Sequence, residues 1–139
     1  MNKSIIIDTG PLVAFLNKSD KDHVWVKTML SQMVPPLLTC EAVLSETCFL
    51  LRSVPKGSQK VFELVHRSLL TLPFTLSQET SAITHLLDKY HNIPISLADA
   101  CLVRMSELYL RASIFTLDRD FKVYRRRGRE VIPTLMPEY

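Results

Sequence analysis

Ile5-Ile6-Ile7-Asp8-Thr9-Gly10-Pro11 decides the fold. Three β-branched apolar residues in a row make a short buried strand. Thr9-Gly10-Pro11 stops it. Proline is tolerated at the first turn of a helix, where its missing N–H has no partner to lose. Leu12, Val13, Phe15 and Leu16 continue as a short helix. A strand running straight into a helix opens an α/β chain. Asp8, the acid at the junction, stands where open parallel sheets bind ligands, beyond a C-terminal strand end.

The alternation continues along the chain. Asp20-Lys21-Asp22 interrupts the pattern, and a second helix is predicted over 22–33 on Val24, Trp25, Met29 and Leu30. Pro35-Pro36 ends it. Leu37-Leu38-Thr39 reads as a second strand, 41–52 as a third helix, Pro55-Lys56-Gly57 as a turn and 58–70 as a fourth helix. Residues 72–76 read as a third strand, placed at a sheet edge by Pro73. Helices follow over 77–91 and 97–111, separated by Pro94. Residues 114–117 form a fourth strand, and Val131-Ile132 a short fifth. Strands separated by helices pair in parallel. The expectation is a three-layer α/β/α sandwich, with a mostly parallel sheet of four to five strands, in one domain over 1–139.

The bulk numbers agree. A chain of 139 residues, 47% apolar, has enough for one core. Three glycines argue against glycine-loop and low-complexity architectures. No apolar run approaches the roughly 18 residues of a membrane span. Met1-Asn2-Lys3-Ser4 lacks a signal-peptide layout, so a cytoplasmic protein is expected. Cys40, Cys48 and Cys101 match no zinc spacing and read as reduced packing residues. His23, His66, His85 and His91 make no metal motif, and Trp25 reads as core or dimer surface. The net charge of +3 is modest, but Lys122, Arg125, Arg126, Arg127 and Arg129 crowd one stretch. That stretch is a phosphate-binding patch, a solvated turn or a site for an acidic partner.

Four acids punctuate this pattern: Asp8, Glu46, Asp99 and Asp118. Asp8 and Asp118 follow strands, and two adjacent strands would bring them to one cation. Each alone could be a helix cap. At about 100° per residue, Glu46 falls among Ala42, Val43, Phe49 and Leu50 and is expected to point toward protein. Asp99 shares a face with Val103, Ser106 and Leu110, whereas Arg104, Glu107 and Arg111 lie opposite. Ser96-x-x-Asp99 also matches a capping box. Two like charges about 4 Å apart repel by roughly 4 kcal/mol at an effective dielectric of 20. A magnesium or manganese ion, which prefers oxygen ligands and keeps several waters, would remove that conflict.

The pattern resembles the PIN-domain ribonucleases, especially the VapC-type toxins of toxin–antitoxin pairs. The matching pieces are Ile6-Ile7-Asp8-Thr9-Gly10-Pro11-Leu12, Val43-Leu44-Ser45-Glu46, Leu97-Ala98-Asp99-Ala100 and Thr116-Leu117-Asp118-Arg119-Asp120-Phe121. The resemblance implies magnesium- or manganese-dependent cleavage of RNA, with Asp8, Glu46, Asp99 and Asp118 as catalytic and metal-holding acids. It implies that Thr116 supports them and that Thr9 orients Asp8 or contacts the metal shell. Asp120 is an outer-shell candidate or, the favoured reading, a cap of the turn before Phe121. An antitoxin partner and a homodimer are implied as well. Rival readings are a housekeeping nuclease and a non-catalytic RNA-binding or protein-interaction module on the same fold. A dehalogenase-type phosphatase would want an Asp at position 10, where Gly10 stands. A receiver domain would want a late lysine where Asp118 stands.

Overall fold

A computed structural model describes residues 4–138. The N-terminal reading of Met1, Asn2 and Lys3 lies outside them. Five strands form one sheet: β1 (Ile5–Ile7), β2 (Leu37–Leu38), β3 (Leu70–Thr71), β4 (Ser113–Phe115) and β7 (Thr134–Leu135). Their order is β3-β2-β1-β4-β7, and every neighbouring pair is parallel. A separate antiparallel hairpin joins β5 (Arg125–Arg126) to β6 (Glu130–Val131). Six helices flank the sheet: α1 (Thr9–Leu16), α2 (His23–Leu30), α3 (Glu41–Leu50), α4 (Gly57–His66), α5 (Thr80–Lys89) and α6 (Leu97–Leu108). This is the α/β/α architecture expected. No helix among the described residues is long and apolar enough to cross a membrane.

The sheet centre is the driest part. Ile6, Ile7, Ile114 and Phe115 are fully buried, beneath Leu12, Val43, Leu102 and Met105 from the helices. Trp25 packs its ring 5.7 Å from that of Phe115. The chain passes from β1 to β2 on one side and meets β4 on the other. The topological switch point therefore lies between β1 and β4, where an open sheet leaves a crevice for a ligand.

Several boundaries differ from expectation, each for a visible reason. The second helix stops at Leu30 because Gln32 and Met33 donate to carbonyls three residues back, a tighter winding than the α-helix. The fourth helix stops at His66, so Leu70 is free to enter β3. Ser68 takes a left-handed conformation there (φ 61°), with Leu69 N–H on the Leu64 carbonyl and Ser68 N–H on Val65. That is a Schellman end with serine where glycine is usual. β3 does occupy the sheet edge, but its paired residues precede Pro73. Residues 76–78 form a 3₁₀ turn before α5, not its first turn. The last helix ends at Leu108. The fifth strand of the main sheet is not Val131-Ile132. Val131 pairs in the hairpin, and Thr134–Leu135 joins β4, where Pro133 needs only its carbonyl, accepting from Ile114 N–H at 2.9 Å.

Gly57 opens α4 in the tight α3–α4 connection. A Cβ there would press into the Leu51 carbonyl and lie 2.8 Å from the Leu51 Cβ. Backbone cannot yield as a flexible side chain does. Gly57→Ala is expected to destabilise the protein by about 1–3 kcal/mol, read as a lower urea midpoint at unchanged slope.

Candidate active site

Asp8 ends β1 and caps α1. Its Oδ1 accepts from Thr9 N–H at 2.7 Å, and its Oδ2 accepts from the Thr116 hydroxyl at 2.6 Å. The second bond follows from register. Ile7 pairs with Phe115, so the residues after each strand emerge side by side. Thr116 Oγ1 in turn accepts from Asp118 N–H at 2.9 Å. Asp118 caps the following 3₁₀ turn (Arg119–Lys122) by accepting from Asp120 N–H at 2.9 Å. The turn before Phe121 is thus capped by Asp118; Asp120 is exposed and contributes its backbone.

Glu46 reaches the same place from α3. The Thr9 hydroxyl donates to its Oε1 at 3.0 Å. Glu46 is exposed, contrary to the helical-wheel expectation. The buried face of α3 carries Val43, Leu44 and Thr47, so it lies about 100° away from Glu46, and Phe49 and Leu50 are exposed too. Asp99 comes from the first turn of α6. Ser96 Oγ accepts its N–H at 3.0 Å, which is half of a capping box. The Asp99 carboxylate does not complete the box. Its Oδ2 accepts from the Tyr124 hydroxyl at 3.1 Å.

The four acids lie in one another's field. Burial pushes the Asp8 carboxyl up to about 6, against hydrogen bonds from Thr116 and Thr9 that favour the anion; the charges of Asp118 and Glu46 raise it further. Burial likewise pushes Asp99 up to about 7, reinforced by the charges of Asp8, Asp118 and Glu46 and opposed by Tyr124. The ion pairs among the described residues are Lys21–Asp22, Arg104 with Glu79 and Glu107, and Arg126–Glu130. None reaches the four acids.

Among the described residues no three His, Cys, Asp or Glu side chains form a ready-made cage for an ion. The donor set nevertheless suits a hard divalent cation. It is all carboxylate oxygen, and Glu46 Oε2, Asp99 Oδ1 and Asp118 Oδ2 accept no hydrogen bond among the described residues. An apolar cavity of about 310 Å³, lined among others by Leu12, Phe15, Met33 and Leu70, includes none of these acids.

Tyr124 escaped the sequence reading. It is fully buried, edge-on to Phe121 at 5.3 Å and to Tyr90 at 5.1 Å. The only trace in the sequence is its three-residue spacing from Phe121. The basic stretch splits apart. Arg126 is buried, donating to the Ser106 and Leu110 carbonyls and pairing with Glu130 at 2.8 Å. Arg125 is half-buried, and Lys122, Arg127 and Arg129 are exposed. His23 is half-buried, with Nδ1 2.7 Å from the Ala14 carbonyl. Cys40 and Cys101 are buried free thiols, and Cys48 is partly buried.

A PIN domain family profile matches residues 5–127. Among solved structures, the chain is similar to VapC20 of Mycobacterium tuberculosis, described as a toxin that cleaves the sarcin–ricin loop. The TM-score is 0.74 at 20% identity, over 86% of this chain and 94% of that one. At that identity the likeness is one of fold. No curated protein matches the chain.

The raised carboxyls give stability a pH dependence with a definite sign. Each native carboxyl keeps a proton that the unfolded chain releases near pH 4. Their contribution is complete below about pH 4 and is lost as pH rises through about 6 for Asp8 and about 7 for Asp99. In EDTA, Asp99→Asn should therefore gain stability over wild type between pH 5 and pH 8, by on the order of 1–2 kcal/mol after allowance for partial solvent screening. Paired urea titrations across that range check it; parallel curves would mean that Asp99 has an ordinary carboxyl.

Proposed function

Because the chain belongs to the PIN domain family, we propose that it is a divalent-metal-dependent endoribonuclease and the toxin of a toxin–antitoxin pair. One observation carries the reading. Asp8 and Asp99 are both held above the usual carboxylate range by burial and by neighbouring acids, and no ion pair among the described residues reaches the four acids. An uncompensated anionic cluster at a sheet switch point is what a cation-dependent hydrolase needs. The toxin reading draws on VapC20, described as a toxin that cleaves the sarcin–ricin loop.

In this proposal Asp8, Glu46, Asp99 and Asp118 would hold magnesium or manganese. When bound, the ion supplies charge for the phosphodiester oxygens and acidifies a water. The protein's own work is positioning. Thr116 fixes Asp8 and the backbone of Asp118 through one hydroxyl. Thr9 holds Glu46 by one oxygen and leaves the other toward solvent, suited to orienting the attacking water. Tyr124 holds Asp99. Water then adds to phosphorus, one ester oxygen departs, and a proton moves from the water toward the departing oxygen. A single domain over 1–139, a homodimer, a cognate antitoxin and a cytoplasmic location belong to the same reading.

Loss of outer-shell partners alone costs metal sites about 10–100-fold. Asp99→Asn is therefore expected to lower manganese- or magnesium-dependent RNA cleavage by about 100-fold or more while the fold persists. Gel assays of a labelled single-stranded RNA, with circular dichroism alongside, measure both. Cleavage at the wild-type rate by a folded Asp99→Asn protein would end the assignment.

A further inference from the structure

We infer that the concave pocket between α5, α6 and the β5–β6 hairpin binds the phosphodiester backbone of the RNA strand at a distance from the scissile group. The inference rests on the ribonuclease reading above and adds a second point of contact to it. The cavity, about 350 Å³, is lined among others by His85, Lys89, Arg104, Arg125, Arg127 and Glu107.

The cations there are of two kinds. Arg104 is neutralised, 3.2 Å from both Glu79 and Glu107. Lys89, Arg125 and Arg127 have no carboxylate partner among the described residues. Two of them are fixed by neutral acceptors. Lys89 Nζ donates to the Gly128 carbonyl at 2.8 Å. Arg125 Nη1 donates to the carbonyls of Lys122, Val123 and Tyr124 at 2.7–3.1 Å. A carbonyl orients a cation without cancelling its charge. The hairpin carrying Arg127 is pinned as well, because Glu107 Oε2 accepts the Arg127 N–H. Scattered surface lysines and arginines are ordinary. Two unneutralised cations fixed by backbone carbonyls, with the exposed Arg127 beside them on the pinned hairpin, make one concavity a preorganised anion site.

Its position suits a polyanion already anchored at the acids. Glu107 is eight residues beyond Asp99 on α6, about 12 Å along a rigid axis. A second link runs through the aromatics. Tyr124 donates to Asp99, its ring meets Tyr90, and the Tyr90 hydroxyl accepts the Arg125 N–H at 2.8 Å. Helix and ring contacts thus link the pocket to the acidic site, and a strand long enough to span about 12 Å and pass round α6 would reach both. The linear basic cluster hid this arrangement. Arg126 belongs to the core, and Lys89, from another helix, completes the set.

Anisotropy of labelled single-stranded RNAs of about three and about twelve nucleotides tests the pocket. Binding is measured in the Asp99→Asn protein over a salt series, with and without Arg127→Gln, and with Lys89→Gln added. The longer RNA should lose affinity about threefold for the single change and about tenfold for the pair. Its salt slope should flatten by about 1.4 for two lost phosphate contacts. The shorter RNA should change less than about twofold. Unchanged binding of the longer RNA, an equal loss at both lengths, or full competition by equimolar inorganic phosphate would overturn the inference. The exposed Arg127→Gln change keeps the test valid if the pair loosens the hairpin. Wild-type cleavage assays run in parallel separate the two readings. RNA that is cut while the variants bind normally removes the pocket and leaves the nuclease. RNA that is never cut, with length-dependent loss in the variants, removes the nuclease and leaves the pocket.

Discussion

The hydrogen bond from Thr116 to Asp8 joins residues 108 positions apart and sets the geometry of everything near it. It exists because β1 and β4 pair in parallel with Ile7 opposite Phe115. A slip of one residue would turn Thr116 to the other face and send Asp8 away from it. The burial of Ile6, Ile7, Ile114 and Phe115 makes that slip expensive, since each side chain would trade core for solvent or the reverse. The core therefore holds the acids in place indirectly, through strand register. The acids do not stabilise the core in return. Their raised proton affinities show that the fold carries unfavourable charge at this crevice.

That asymmetry explains which features were readable from the chain alone. Ile5-Ile6-Ile7 and the mostly apolar 114–117 stretch announce themselves as short strands, each followed by an acid, Asp8 and Asp118. Their adjacency follows from parallel topology and needs no side-chain detail. Helix ends are harder. Ser68 in a left-handed conformation gives α4 its stop, yet serine has no special preference for that conformation, so a helix expected over 58–70 overruns into Leu70, the first residue of β3. The last strand was misplaced because Val131-Ile132 is the more apolar pair. Hairpin pairing with Arg125–Arg126 takes Val131, and the less conspicuous Thr134–Leu135 completes the sheet.

The acids were legible as a set, but their individual surroundings were not. Periodicity placed Glu46 toward protein on the assumption that Phe49 and Leu50 face the core. Both are exposed, and α3 buries Val43, Leu44 and Thr47 instead. Amphipathic reasoning fails where a helix presents apolar residues on both sides, because the period is intact while the phase is undetermined. Tyr124 was invisible for a different reason. A buried tyrosine gives away its hydroxyl partner only in three dimensions, and Asp99 lies 25 residues away. The capping-box reading of Ser96 and Asp99 was half fulfilled because that hydroxyl supplies the carboxylate with a competing donor.

The modest net charge of +3 conceals a polarised molecule. Acids gather at the β1–β4 crevice, and unneutralised cations gather beside the hairpin, with α6 running from one group to the other. Opposite clusters this near would collapse into salt bridges if their side chains could reach. Asp8 is tied to Thr9 N–H, Asp118 to Asp120 N–H, Lys89 to the Gly128 carbonyl and Arg125 to three carbonyls, and no ion pair among the described residues joins the two groups. On the proposed reading, the separation leaves negative charge where a divalent cation would sit and positive charge where a phosphate backbone would lie. Lys89 and Arg125 keep hydrogen-bond partners while no carboxylate of the described residues cancels their charge.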